Sequence, residues 1–239
     1  MIHSITNFQL TVQGVQSYQQ KPCNDQKVGI ITYKNNKFSY NGGDKFNLTH
    51  KNNQNGQTRF DVNYSQQPPN IKATNPKMVV LLESPHIEEF NAGQYANGTA
   101  PAWGNTGKNF DDWFIKVLNL NINNVLNSFL PNNNQDIDVY LVNAIQYQCS
   151  LGKLNGNRGS GRRDAVFFNL WNKQPDSFLQ DLADRLNFIN PNVIINACTK
   201  NLQRFCCNGN SIAPLLNRPI PFLAANHHMS VWGKSTFLL

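Results

Sequence analysis

From Pro76 onward, short apolar runs alternate with stretches whose apolar residues recur every three or four positions. The runs are Met78–Leu82 (MVVLL), Asp138–Val142 (DVYLV), Asn192–Ala197 (NVIINA) and Ile220–Ala224 (IPFLA). Continuous runs of this length predict strands covered on both faces, because a strand with one wet face would alternate apolar and polar residues. Between them, Phe110, Trp113, Phe114, Val117 and Leu118 predict a helix over Asn109–Leu120. Phe178, Leu179, Leu182, Leu186 and Ile189 predict an amphipathic helix over Asp176–Ile189. Thr199 is placed to cap a short helix ending at Cys206. Strands alternating with helices predict an α/β fold: a three-layer αβα arrangement around a mainly parallel, four-stranded sheet.

The first 75 residues read differently. They are polar, with short β-type runs at Val28–Tyr33 and Lys37–Tyr40 and a turn-like Asn41-Gly42-Gly43. The prediction is a small, hairpin-rich, β-rich appendage over 1–75 and an α/β domain over 76–239, divided near Gln66-Gln67-Pro68-Pro69-Asn70.

Composition narrows the class. Of the 239 residues only 15% are charged, and asparagine, with 38 copies, fills the gap. The net charge is +7, which favours a polyanionic partner. The first 75 residues hold eight Lys and Arg against three Asp and Glu, so five of the seven net charges sit there. No apolar run reaches the roughly 20 residues of a membrane span. The first twenty residues lack the basic and apolar regions of a secretory signal. Five cysteines with no C-x-x-C pair argue against a disulfide scaffold or a zinc ribbon. The expectation is a reduced, cytoplasmic, monomeric protein with no membrane association, metal or cofactor.

In open parallel sheets, ligands bind beyond the carboxyl ends of the strands. Glu83-Ser84-Pro85-His86 follows the first strand, Asn143-Ala144 the second, Cys198-Thr199 the third and Asn226-His227-His228-Met229-Ser230 the fourth. A carboxylate, an amide and imidazoles thus converge on one edge. Ser84 lacks the G-x-S-x-G elbow of a serine nucleophile.

The order and local sequence of these segments resemble the uracil-DNA glycosylase superfamily. Val79–His86 is similar to that family's first strand and water-activating loop, which reads G-Q-D-P-Y-H in one branch and G-E-x-P-G in others. Pro101-Ala102-Trp103-Gly104-Asn105-Thr106-Gly107-Lys108 resembles its P-F-x-G-x-x-G stretch. Val139–Ala144 resembles the strand ending in the base-reading Asn, and Asn190–Ala197 the R-P-K-V-I-V-x-L strand. His228-Met229-Ser230 stands where the family has H-P-S. There are departures: Leu82 replaces the opening Gly, Ser84 stands where one branch has its Asp, and Met229 replaces Pro. Cys23, Cys149, Cys198 and Cys206 do not follow the spacing of the branch that carries an iron–sulfur cluster.

The resemblance implies a DNA glycosylase that hydrolyses the N-glycosidic bond of a flipped pyrimidine, either uracil or a modified phage-type cytosine, in DNA repair or phage defence. Glu83 then serves the sugar cation and the water, with Ser84 or His86 as alternatives. His228 serves the leaving base, with His227 as the other register. Asn143 reads the base edge, and Trp103 stacks on it. The Gly-rich basic segment Ser150–Arg163, with Lys153, Arg158, Arg162 and Arg163, either tracks the DNA backbone or is a solvated loop. Two other classes remain open: a catalytically silent DNA-binding module on the same fold, and a hydrolase of nucleotides or nucleosides.

Overall fold

The computed structural model describes residues 8–10, 18–20, 22–48, 59–66, 75–85, 89, 100–147, 149, 167–168, 171, 175–205 and 208–225. Its centre is strand β6 (Lys77–Leu82), buried from Met78 to Leu82. Successive residues of β6 serve opposite faces of the sheet. Met78, Val80 and Leu82 join a cluster with Phe110, Phe114, Val117 and Leu118 of helix α1 (Asn105–Leu120) and Val125 of α2 (Ile122–Ser128). Val79 and Leu81 join a second cluster with Phe178, Leu182, Leu186 and Ile189 of α3 (Pro175–Ile189) and Leu202 of α4 (Lys200–Phe205). A strand apolar on both sides has no polar alternation to show. Each such side chain contributes about 1.5–3 kcal/mol on full burial.

β7 (Gln135–Asn143), β6, β8 (Val193–Asn196) and β9 (Phe222–Ala224) lie parallel in that spatial order. The four strands foreseen from the apolar runs therefore form a contiguous parallel set, but the expected four-stranded sheet needs correction. Among the described residues the sheet has seven strands of mixed orientation. β3 (Gln26–Lys34) runs antiparallel along β7, while β4 (Lys37–Tyr40) and the short β5 (Phe60–Asp61) pair with β3.

The segment read as a polar appendage thus supplies three strands to the main sheet. Its apolar residues are sparse but well placed: Val28, Ile31, Tyr33 and Phe38 all enter the α1-side cluster. The β3–β4 turn is Asn35-Asn36, both left-handed at φ 51° and 58°, a conformation that Asn tolerates better than most residues. A separate pair, β1 (Phe8–Leu10) and β2 (Tyr18–Gln20), is antiparallel and belongs to its own two-stranded sheet.

Helix α1 begins four residues before the apolar spacing indicates, and its first turn includes Gly107. The approaching loop explains this. Ala102 and Gly104 both have left-handed φ, 56° and 89°, and the chain doubles back against the helix. A Cβ at position 107 would lie 2.0 Å from the Ala102 carbonyl oxygen. Arg59, buried, ties this loop to the sheet by donating to the Pro101 carbonyl, to the Leu48 carbonyl at 3.2 Å and to Gln26 Oε1 at 2.7 Å. Among the described residues, no helix is long and apolar enough to cross a membrane.

Candidate active site

The parallel strands stand in the order second, first, third, fourth, so the chain leaves β6 first to one side and then to the other. The crevice between β6 and β8 is the topological switch point, where open α/β sheets receive ligands. Register places Leu82 opposite Asn143 and Leu81 opposite Asn196. The carboxyl ends of three adjacent strands therefore finish level with one another.

Glu83 stands at this edge, 3% exposed. Its main-chain oxygen accepts from Ile145 N at 3.0 Å, which fastens it to the end of β7. Its Oε2 accepts from Thr199 N at 3.2 Å, so the side chain reaches across to the end of β8. Ser84 follows, its Oγ buried without a hydrogen-bond partner.

Asn143 is fully buried, and neither Oδ1 nor Nδ2 has a hydrogen-bond partner. Leaving such a group unpaired costs about 1–3 kcal/mol. Other asparagines of this chain avoid that cost. Asn119 pairs with both the N–H and the carbonyl of Phe38, Asn121 Nδ2 donates to Val117, and Asn208 caps a short helix, α5 (Gly209–Ile212), through Ser211 N. Leu141 belongs to the α1-side cluster and Val142 to the opposite one. Alternation along the strand therefore turns the Asn143 amide to the α1 side. Leu82, Ala102, Ala197 and Ala225 belong to the cluster on that side.

The main chain at Asn143 is held by charged groups. Asp25, just before β3, accepts from Asn143 N at 3.3 Å through Oδ1. Its Oδ2 accepts from Arg185 Nη1 at 2.7 Å and from the Tyr64 hydroxyl at 2.5 Å. Arg185 also donates to the carbonyls of Asn143 (3.0 Å) and Ala144 (3.1 Å) and, through Nε, to Asp181 Oδ2 (2.9 Å). Burial alone would lower the Arg185 pKa, but the Asp25 and Asp181 carboxylates overcome it, and the guanidinium is held firmly charged. Burial, and then the Asp25 charge, push the Tyr64 hydroxyl well above its ordinary range, so it remains a donor.

Gln203 of α4 gathers the next two strand ends. Its Nε2 lies 3.0 Å from the Asn196 carbonyl, 2.7 Å from that of Cys198 and 2.8 Å from that of Ala225. Ala225 is the residue before Asn226-His227-His228.

Of the residues singled out from sequence, Glu83, Ser84 and Asn143 come together at this edge. Trp103 is half-buried on the loop before α1, next to Ala102 of the α1-side cluster. His86, His227, His228, Lys153, Arg158, Arg162 and Arg163 lie outside the described residues. The sequence reading missed Asp25, Tyr64, Asp181, Arg185 and Gln203. For two of them a signal existed. Asp181 and Arg185 fall on the apolar stripe of α3, in phase with Phe178, Leu182, Leu186 and Ile189, where a charged pair has to be buried. Asp25 and Tyr64 carry no such mark, because only the pairing of β3 with β7 brings their segment to the edge.

No protein-family model, curated protein or solved structure matches this chain.

Proposed function

We propose that this protein is a DNA glycosylase that hydrolyses the N-glycosidic bond of a flipped pyrimidine. The observation that supports this reading best is Asn143: an amide sealed from solvent, with both its donor and its acceptor unspent, at the ligand-binding edge of the sheet. A nucleobase edge presents an adjacent donor and acceptor, and an Asn side chain can pair with both at once. At 0% exposure the amide meets no bulk water, so a ligand group is the natural partner.

Glu83 is our candidate for the sugar side of the reaction. The oxygen of a water molecule bonds to C1′ while the C1′–N bond breaks; that bonding pair leaves with the base, which ends with the proton that the water gives up. Positive charge builds on the sugar, where a carboxylate stabilises it and orients the water. Negative charge builds on the base oxygen, where a donor is needed. We assign that donor to His228, or to His227 in the alternative register. The Thr199 N–H bond fixes one Glu83 oxygen, and a fixed carboxylate costs little reorganisation during the reaction. Trp103 is our candidate for stacking on the base, and Lys153, Arg158, Arg162 and Arg163 for phosphate contacts. We also infer the three-layer αβα frame, on the ground that α1 and α2 share one buried cluster with β6 while α3 and α4 share the other.

The test is incubation with oligonucleotides that each carry one uracil or modified cytosine, read as strand scission at abasic sites in alkali. Release of one base by the wild type is expected. In single turnover, Glu83→Gln should slow that release by about 10²–10⁴ while DNA binding is kept. Release at the wild-type rate in that variant removes Glu83 and moves the water-positioning role to Ser84 or His86. No release from any member of the panel by the wild type overturns the glycosylase reading.

A further inference from the structure

The buried cluster around Arg185 is not needed for any chemical step, yet its contacts converge on one place, the main chain of Asn143 and Ala144. β3 begins at Gln26, paired with Leu141, so the ladder on that side of β7 stops before Asn143. The Asp25 carboxylate takes over there and accepts the Asn143 N–H. On the other side, Ala144 N donates to the Leu82 carbonyl at 2.7 Å. The two carbonyls that remain, of Asn143 and Ala144, both receive the Arg185 fork. Arg185 itself is held by Asp181 one helical turn away and by Asp25, and Asp25 by Tyr64. The N–H and carbonyl groups of Asn143 and Ala144 are thus all spoken for, while the Asn143 side-chain amide has no partner.

We propose that Arg185, Asp25 and Tyr64 are positioning residues: they pin the carboxyl end of β7 so that the Asn143 amide is held ready, unpaired, for a ligand group. This rests on the reading of Asn143 given above. Physically, an unpaired buried amide would relax toward any available partner, and a mobile strand end would offer it one. Closing off each nearby backbone group removes those partners. The N-terminal 75 residues then belong to the site, because they supply Asp25, just before β3, and Tyr64, in the turn after β5. Arginine suits the task where lysine does not. Its rigid fork spans two carbonyls and two carboxylates together, whereas an ammonium is a single point on a flexible stem.

The test uses the full chain labelled with ¹⁵N-asparagine. The Asn143 side-chain NH₂ signal is identified by its loss in Asn143→Ala, and its exchange with water is measured in wild type, Arg185→Lys and Tyr64→Phe. Exchange should quicken by about 10-fold or more in Arg185→Lys, which loses a charge-assisted fork worth about 1.5–3 kcal/mol per bond, and by less in Tyr64→Phe. The Asn119 side-chain signal, paired to Phe38 of β4, should stay unchanged in both. A merely structural role would move the two signals together through global unfolding. If Arg185→Lys does not fold, Tyr64→Phe, which removes one hydroxyl, decides. An unchanged Asn143 signal in a folded variant overturns the clamp. Base release measured alongside separates this from the functional reading. If wild type releases no base while Asn143 exchange still quickens, the glycosylase reading fails and the clamp stands. If wild type releases a base but the Asn143 signal is unmoved, the clamp fails alone.

Discussion

Asn143 and Arg185 sit within hydrogen-bond distance of each other, and opposite responses to substitution are expected of them. The Asn143 amide is buried and unpaired, so Asn143→Ala removes a group that costs about 1–3 kcal/mol. Stability should hold or rise, while any base recognition is lost. Arg185→Met strands the carboxylates of Asp25 and Asp181 in the interior and should cost about 3–5 kcal/mol. Urea denaturation of the two variants checks both signs. A clear loss of stability in Asn143→Ala would mean that its amide is paired after all.

Asp111 on α1 is a further buried carboxyl with a consequence at the residue scale. Its Oδ2 accepts from Leu48 N at 2.6 Å, and its Oδ1 has no partner. Burial pushes its pKa to about 6, although Lys45 and Arg59 pull the other way. The folded state therefore holds this proton more tightly than the unfolded chain, whose carboxyl titrates near 3.8. Folding is helped by the protonated form below that value. The help fades as pH rises to about 6 and is absent above it. A shift of this size corresponds to about 3 kcal/mol. Asp111→Asn should flatten the pH dependence of the urea midpoint between about pH 4 and pH 7. A dependence as steep as that of wild type would place the titration elsewhere.

At the scale of elements, the joint between the Pro101–Gly104 loop and α1 is the most exacting. Gly107 faces backbone, not a flexible side-chain tip, so neither partner can give way to a new Cβ. Gly107→Ala should destabilise by about 1–3 kcal/mol or more, against the usual gain for Ala over Gly in a helix. Thermal unfolding of that variant measures it, and a raised midpoint would show that the loop can move. The same joint explains why the helix start was not legible. Asn105-Thr106-Gly107-Lys108 reads as turn chemistry, and only the loop packing on it makes glycine the residue that fits a helix there. Helix α2 escaped for another reason: Ile122, Val125 and Leu126 keep helical spacing and meet the core, but INNVLNS is only seven residues long, too short for the period to separate a helix from other structure.

On the scale of the whole molecule, β3 is the strand that joins the N-terminal segment to the rest. It lies along β7 from Gln26 to Tyr33, covers the α1-side core with Val28 and Ile31, and leads into the site through Asp25. Deleting residues 1–75 would expose β7 as an edge strand and take the Asp25 carboxylate away from Arg185. We expect the shortened chain to lose its cooperative unfolding transition, followed by circular dichroism against temperature. A retained transition near the wild-type midpoint would restore the division into appendage and domain.

The strands β6 to β9 and the two long helices were legible because each carries its own evidence. A strand buried on both faces must be apolar throughout, and a helix on a sheet must repeat its apolar residues every three to four positions. Chain order and the rule for parallel sheets then pointed to Glu83, Ser84 and Asn143, since strand ends are read directly from strand positions. The place of the N-terminal strands was beyond such reasoning. Pairing between β3 and β7 links residues more than a hundred positions apart through backbone groups that every residue possesses, and nothing local names the partner. The same holds for the cluster of Asp25, Tyr64, Asp181 and Arg185. Asp25 and Tyr64 look like solvated polar residues, and the phase of Asp181 and Arg185 on α3 tells that they are buried but not what meets them; burial of the four is stable only because the fold brings opposite charges and donors together. That Asn143, among the described asparagines, should be the one left buried and unpaired is a matter of tertiary structure alone: an amide's partners are set by what surrounds it in space.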